Sequence, residues 1–107
     1  MTTKHHFRVT VLVENTAAVP GMLAEHGLSM LVQSQDTCGL WDTGQTDAVV
    51  KNAGLCGVDL GRVAWIALSH GHYDHTGGLP AVLERAPSPT LHAHPAATRP
   101  KLAVLPE

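Results

Sequence analysis

His70-Gly71-His72-Tyr73-Asp74-His75 puts three imidazoles and one carboxylate within six residues. Neutral imidazole suits zinc, iron, manganese and nickel, and a carboxylate suits the harder divalent ions. Two ligand pairs at this spacing can serve two adjacent metal positions, His70 with His72 and Asp74 with His75. Adjacent metal ions activate a water and stabilise a leaving oxygen, so the chemistry on offer is metal-assisted hydrolysis. A single histidine in a polar loop is usually a surface group. Four ligand-type residues in six, straight after an apolar run, point to a metal.

The elements around the cluster explain its spacing. Val63-Ala64-Trp65-Ile66-Ala67-Leu68 is a continuous apolar run of strand length, which suits a strand buried on both faces. After the cluster, Leu79, Val82 and Leu83 fall on one face of a short helical pattern. The cluster therefore sits on a tight turn from strand to helix. Side chains alternate along a strand, so His70 and His72 point the same way, and Asp74 and His75 come round after the turn.

His70 to His75 followed by Thr76-Gly77-Gly78-Leu79 resembles the metal loop of the metallo-β-lactamase-fold hydrolases. The likeness runs upstream through Leu40-Trp41-Asp42-Thr43-Gly44, Asn52-Ala53, Gly57-Val58-Asp59-Leu60 and Leu68-Ser69. With Glu14-Asn15-Thr16 and Glu25-His26-Gly27-Leu28-Ser29 added, it is most similar to the branch of the dihydropterin phosphate synthases and their uncharacterised relatives. The resemblance implies half of an αββα sandwich, an α/β (α+β) fold with a mixed β-sheet and helices on one face. It makes residues 1–107 a single domain, the N-terminal half of the family fold. It implies His70, His72, Asp74 and His75 as metal ligands, with Asp74 also orienting the attacking water. The cofactor is a divalent metal at two positions, zinc first, with iron or manganese as alternatives. The substrate class is a small molecule with an ester, amide or phosphate-type bond. Asp42 could cap the helix that follows it, but the resemblance places it beneath the metal loop as a support for the ligands.

Composition narrows the partners. The 107 residues allow one domain, and 44% hydrophobic content supports a core. A net charge of −2 gives no electrostatic case for nucleic acid or an anionic membrane. No run is long enough to span a bilayer, and Met1 to His6 lacks the apolar centre of a signal peptide. The two cysteines, Cys38 and Cys56, read as reduced thiols of a cytoplasmic protein.

Along the chain, Phe7, Val9, Val11 and Val13 alternate and predict a first strand with that face buried. Residues 22–27 predict a short helical turn ended by Gly27, carrying a His26 that makes a poor ligand candidate. Further strands are predicted over residues 28–33 and 38–41, and a helix from Asp47 to Asn52 with Gly54 as its stop. The helix after the metal loop is expected to reach Arg85, and residues 90–94 form a last strand. His92 and His94 there read as ordinary strand-end residues.

Past His94 there is no histidine, and Glu107 is the only acidic residue. Each metal position would keep two protein ligands, where catalytic zinc normally keeps three. The expectation is therefore weak or absent metal binding and no activity in this chain alone. A missing C-terminal half or a homodimer partner would complete the site. The alternative function is a self-associating or partner-complemented half-domain that binds metal without catalysis. A sheet with helices on one side only would leave an apolar face bare, which favours the dimer.

Overall fold

The computed structural model describes residues 6–17 and 19–99. They form a mixed five-stranded sheet in the order β1-β2-β3-β4-β5. The strands are β1 (Arg8–Val13), β2 (Ser29–Gln33), β3 (Cys38–Trp41), β4 (Val63–Ala67) and β5 (Thr90–His92). The first two pairings are antiparallel and the last two parallel. Parallel neighbours need long crossovers. Helix α1 (Ala48–Leu55) lies in the first, and α2 (Tyr73–Thr76) with α3 (Leu79–Leu83) in the second.

The helices pack on one face. Leu12, Leu31, Leu40 and Ile66 bury against Val49 and Ala53 of α1 and Val82 of α3. The register carries this row across the sheet, with Leu31 opposite Leu40 and Leu40 opposite Ile66. The other face is apolar as well. Val9 pairs with Val32, Val11 with Met30, Met30 with Trp41, and Trp41 with Ala67. It is open: Val9 is 56%, Val11 41% and Trp41 40% exposed. On this side the indole of Trp65 lies over Gly39, where a Cβ would overlap the ring.

Six expectations are corrected. The face of β1 carrying Phe7, Val9 and Val11 is the exposed one, and Leu12 is buried instead. A register shift between Val11 and Val13 brings Val13 into the core beside Leu12. Strand β4 is not buried on both faces: Val63 and Ile66 are buried, Ala64 is exposed and Trp65 is half-buried. Residues 22–27 are not helical; the Met22 N–H closes a turn on the Val19 carbonyl, and the rest is irregular. Helix α1 runs through Gly54 and ends at Leu55, and Gly57 at φ +69° turns the chain away. Helix α3 stops at Leu83, and β5 at His92. His94 instead caps a 3₁₀ turn over Pro95–Thr98, its Nδ1 accepting from the Ala96 N–H at 3.0 Å. Readings placed on residues 1–5 and 100–107 fall outside the described residues.

Cys38 and Cys56 are free thiols. Burial pushes the Cys38 thiol up, against the pull of the Arg62 guanidinium, and its S–H donates to the Arg62 carbonyl.

Asn52 ties the helix to the first half of the sheet. It is fully buried. Its Nδ2 donates to the Leu12 carbonyl at 2.7 Å and the Leu23 carbonyl at 2.9 Å, while Oδ1 accepts from the Leu23 N–H at 2.9 Å. Every polar atom of the amide has a partner. Asn52→Ala strands those backbone groups and is expected to cost roughly 2–4 kcal/mol of stability. Urea unfolding measures it, and an unchanged midpoint would show that water replaces the amide without penalty.

Candidate metal centre

The metal loop begins where β4 ends. The Leu68 N–H still bonds the His92 carbonyl at 2.9 Å, which extends the sheet by one step. Residues 69–72 then leave it, and His72 stands at the N-cap of the one-turn helix α2, which carries Asp74 and His75. Two segments clamp that turn. Thr43 donates to the His75 carbonyl from its N–H at 2.8 Å and its Oγ1 at 3.1 Å. The Leu28 N–H donates to the Asp74 carbonyl at 3.3 Å.

Asp42 organises the candidate ligands. It is fully buried, and its φ of +58° is a left-handed conformation that aspartate tolerates better than most residues. Its own N–H bonds the Ala67 carbonyl at 2.8 Å, and Ser29 Oγ donates to its carbonyl at 2.7 Å. Asp42 Oδ1 accepts from the Ser69 N–H at 2.7 Å, and Oδ2 accepts from Ser69 Oγ at 2.6 Å and from His75 Nδ1 at 2.8 Å. The helix-cap alternative does not apply to it: Asp47 is the N-cap residue of α1, and the Ala48 N–H there is met by Thr46 Oγ1.

These bonds fix two tautomers. An ionised carboxylate only accepts, so His75 must carry its proton on Nδ1. Ser69 has one hydroxyl proton and gives it to Asp42, so its oxygen accepts from His70 Nδ1 at 2.8 Å. In the neutral imidazole this leaves Nε2 bare on both rings, the form that binds a metal. His75 Nε2 stands 3.4 Å from Asp74 Oδ2. Two ligands each about 2.1 Å from one tetrahedral ion stand about 3.4 Å apart. With His75 neutral no proton lies between these two electron-rich atoms, and a cation fits there. The donor set fits a divalent metal.

Ligand atoms of His70, Asp74 and His75 all lie within 4.8 Å of one another. His72, at the loop's exposed side, is outside that group; its ring meets the His70 ring edge-on at 4.7 Å between centroids. The His70 and His75 rings are 4.2 Å apart. His26, a poor ligand candidate from the sequence, lies outside that group too, but its Nε2 is 3.2 Å from Asp74 Oδ2. Its signal was the Gly27 beside it, since only a glycine lets this segment come so close to Asp74. A groove of about 480 Å³ at the other end of the sheet, lined by Arg8, Gln33, Cys38 and Arg62, touches none of these residues.

A loop of ligand-type residues at the C-terminal end of a parallel strand, in a mixed sheet backed by helices on one face, defines an αβ half-sandwich with a candidate metal site. Residues 23–104 match the metallo-beta-lactamase superfamily model, and the chain belongs to that superfamily. It is 39% identical over 76 residues to an uncharacterized protein of Methanocaldococcus jannaschii, covering 71% of this chain and 29% of that protein. Among solved structures it is similar to the Rm3 metallo-beta-lactamase, at 34% identity and a TM-score of 0.56, over 65% of this chain and 27% of that one. It is also similar to the metallo-beta-lactamase MIM-1 from Novosphingobium pentaromativorans, at 35% identity and a TM-score of 0.51, over 59% and 24%. The chain spans under a third of the length of these relatives. Its five-stranded sheet with helices matches half of the metallo-β-lactamase fold.

Proposed function

We propose that this chain, read as one domain over residues 1–107, carries the first metal-ligand loop of a metal-dependent hydrolase. The observation that supports this best is the 3.4 Å approach of His75 Nε2 to Asp74 Oδ2, with the ring's proton committed to Asp42. His70 and His72 would hold one metal position, and Asp74 and His75 the other. Zinc suits this mixture of imidazole and carboxylate best, with iron and manganese as alternatives. When bound, such ions polarise the bond under attack and make water nucleophilic at neutral pH. Asp42 and Ser69 hold the two imidazoles in the metal-binding tautomer. Asp74 Oδ1 has no hydrogen bond among the described residues and is placed to accept one from a water, which orients it for attack.

The substrate would be a small molecule with an ester, amide or phosphate-type bond. Membership of the dihydropterin phosphate synthase-like branch is part of the proposal, supported by residues 14–16 and 25–29. So does a cytoplasmic setting, supported by the two free thiols; no described helix is long and apolar enough to cross a membrane.

The second reading is a half-domain that binds metal without catalysis and is completed by a second copy or another polypeptide. The open apolar face of the sheet favours it. One experiment addresses both. The chain is loaded with zinc or manganese and offered p-nitrophenyl acetate, bis(p-nitrophenyl) phosphate and a chromogenic β-lactam. Hydrolysis that Asp74→Ala lowers at least ~100-fold, the scale at which a lost acid–base or water-positioning group acts, supports the hydrolase. Metal uptake with no turnover of any substrate supports the second reading, and no uptake even at saturating zinc overturns both.

A further inference from the structure

We propose that His26 is a positioning residue that holds Asp74 for its metal position. The inference rests on the metal reading above. His26 Nε2 lies 3.2 Å from Asp74 Oδ2, and the carboxylate is only 15% exposed. Donation of the Nε2 proton occupies one lone pair of Oδ2 and leaves another directed to a cation shared with His75.

The segment that carries His26 is pinned on both sides of it. Glu25 accepts from the Gln45 N–H at 2.9 Å and the Thr46 N–H at 3.1 Å through Oε1, and from Thr46 Oγ1 at 2.6 Å through Oε2. The Glu25 N–H bonds the Glu14 carbonyl at 3.1 Å. Gly27 has φ +152°, and any side chain there would overlap the Asp74 carbonyl. Leu28 then donates to that same carbonyl, and its own carbonyl accepts from the Gly44 N–H at 2.9 Å. His26 is thus fixed by its backbone neighbours while its own ring stays 71% exposed. An exposed histidine–carboxylate pair adds little to folding stability. Its value lies in where it holds the carboxylate.

The three clustered ligands then follow one plan. His70 leans on Ser69, His75 on Asp42, and Asp74 on His26. Groups that orient a ligand are worth ~10–100-fold in metal affinity. For an exposed donor on one of two positions, ~10-fold is the expected size.

The test is a zinc titration of the ¹⁵N-labelled full chain, followed by histidine imidazole resonances. These report affinity, tautomer and ligation together, and they read weak binding as well as tight. In the parent, zinc shifts the Nε2 resonances of His70 and His75, and His26 keeps its Nε2 proton. His26→Ala is expected to weaken zinc binding ~10-fold with the melting temperature unchanged. His26→Gln, which keeps a donor at the same reach, is expected to restore it. Asp74→Ala serves as the reference for a lost ligand. If His26→Ala binds as the parent does while Asp74→Ala does not, the His26 role is overturned and the metal reading stands. A zinc-induced loss of the His26 Nε2 proton would make His26 a ligand and overturn the positioning role. If zinc moves none of the His70 and His75 signals in the parent, both fall.

Discussion

Asp42→Asn is expected to move the His75 proton from Nδ1 to Nε2 and weaken zinc binding ~10–100-fold. Asparagine tolerates the left-handed backbone at this position, so the turn off β3 survives. Its Oδ1 still accepts from the Ser69 N–H, which leaves an amide N–H₂ where Oδ2 stood. That group donates where the carboxylate accepted. Facing a donor, His75 Nδ1 must turn acceptor, and the proton shifts to the nitrogen that would bind the metal. Ser69 Oγ now accepts from the amide, so its hydroxyl proton turns toward His70 Nδ1 and pushes that ring to the same unsuitable tautomer. Imidazole NMR reads both tautomers without any metal, and zinc titration reads the consequence. A His75 that keeps its Nδ1 proton in the variant would show that something other than Asp42 sets the site.

Asp42→Ala is a blunter probe. The buried position makes it harm the fold as well as the loop, because the Ser69 N–H, Ser69 Oγ and His75 Nδ1 lose their acceptor together. These groups are only part-buried, so each loss is expected at the low end of about 1–3 kcal/mol. Alanine also fits a φ of +58° poorly. Alanine at this position is therefore expected to damage the metal loop and the fold together.

The metal loop was legible because its information is local. Ligand-type residues at short spacing, after an apolar strand and before a helix, state a site within a dozen positions. The supports were less so. Asp42 could be suspected only by resemblance, since nothing in its neighbours shows that a left-handed turn will aim its carboxylate 27 residues ahead at Ser69. His26 sits 48 residues from Asp74, and a lone histidine before a glycine has many ordinary explanations (48 = 74 − 26).

The fold shows the same divide. The Val9-Thr10-Val11-Leu12-Val13 run alternates well enough to be a strand, but both of its faces carry apolar residues. Periodicity could not say which face meets the helices, and the register shift after Val11 lets Leu12 and Val13 both turn inward. In residues 22–27 a helical composition lost to tertiary demands, because Glu25 and Leu28 each spend their polar groups on the site's other segments. In β4 the unbroken apolar run has two customers: the helices take Val63 and Ile66, and the open face keeps Trp65 and Ala67.

That open face leads to the second large effect. We propose a second copy of the chain as its occupant and expect the protein to run as a dimer in size exclusion with light scattering. Phe7, Val9, Val11, Met30, Val32, Trp41, Trp65 and Ala67 make a continuous apolar surface on the strands' helix-free side. A soluble monomer rarely exposes a patch beyond a few hundred Å². Two such sheets stacked face to face ~10 Å apart would bury these residues as a sandwich core does. A two-fold axis through the face makes it self-complementary. An interface of this kind belongs to the large, apolar, obligate class, above ~2,000 Å² in total. Lysine at Val9 and Val11 is the sharpest probe. Both side chains are already half in solvent on an edge strand, far from the metal loop, so the monomer loses little while the interface gains two buried charges. At ~2 kcal/mol or more for each disrupted central contact, dissociation should rise ~30-fold or more per substitution. A parent that aggregates, and that the two lysines render soluble but monomeric, would assign the face to a different polypeptide. A monodisperse parent monomer with a cooperative melt would show that the face needs no partner.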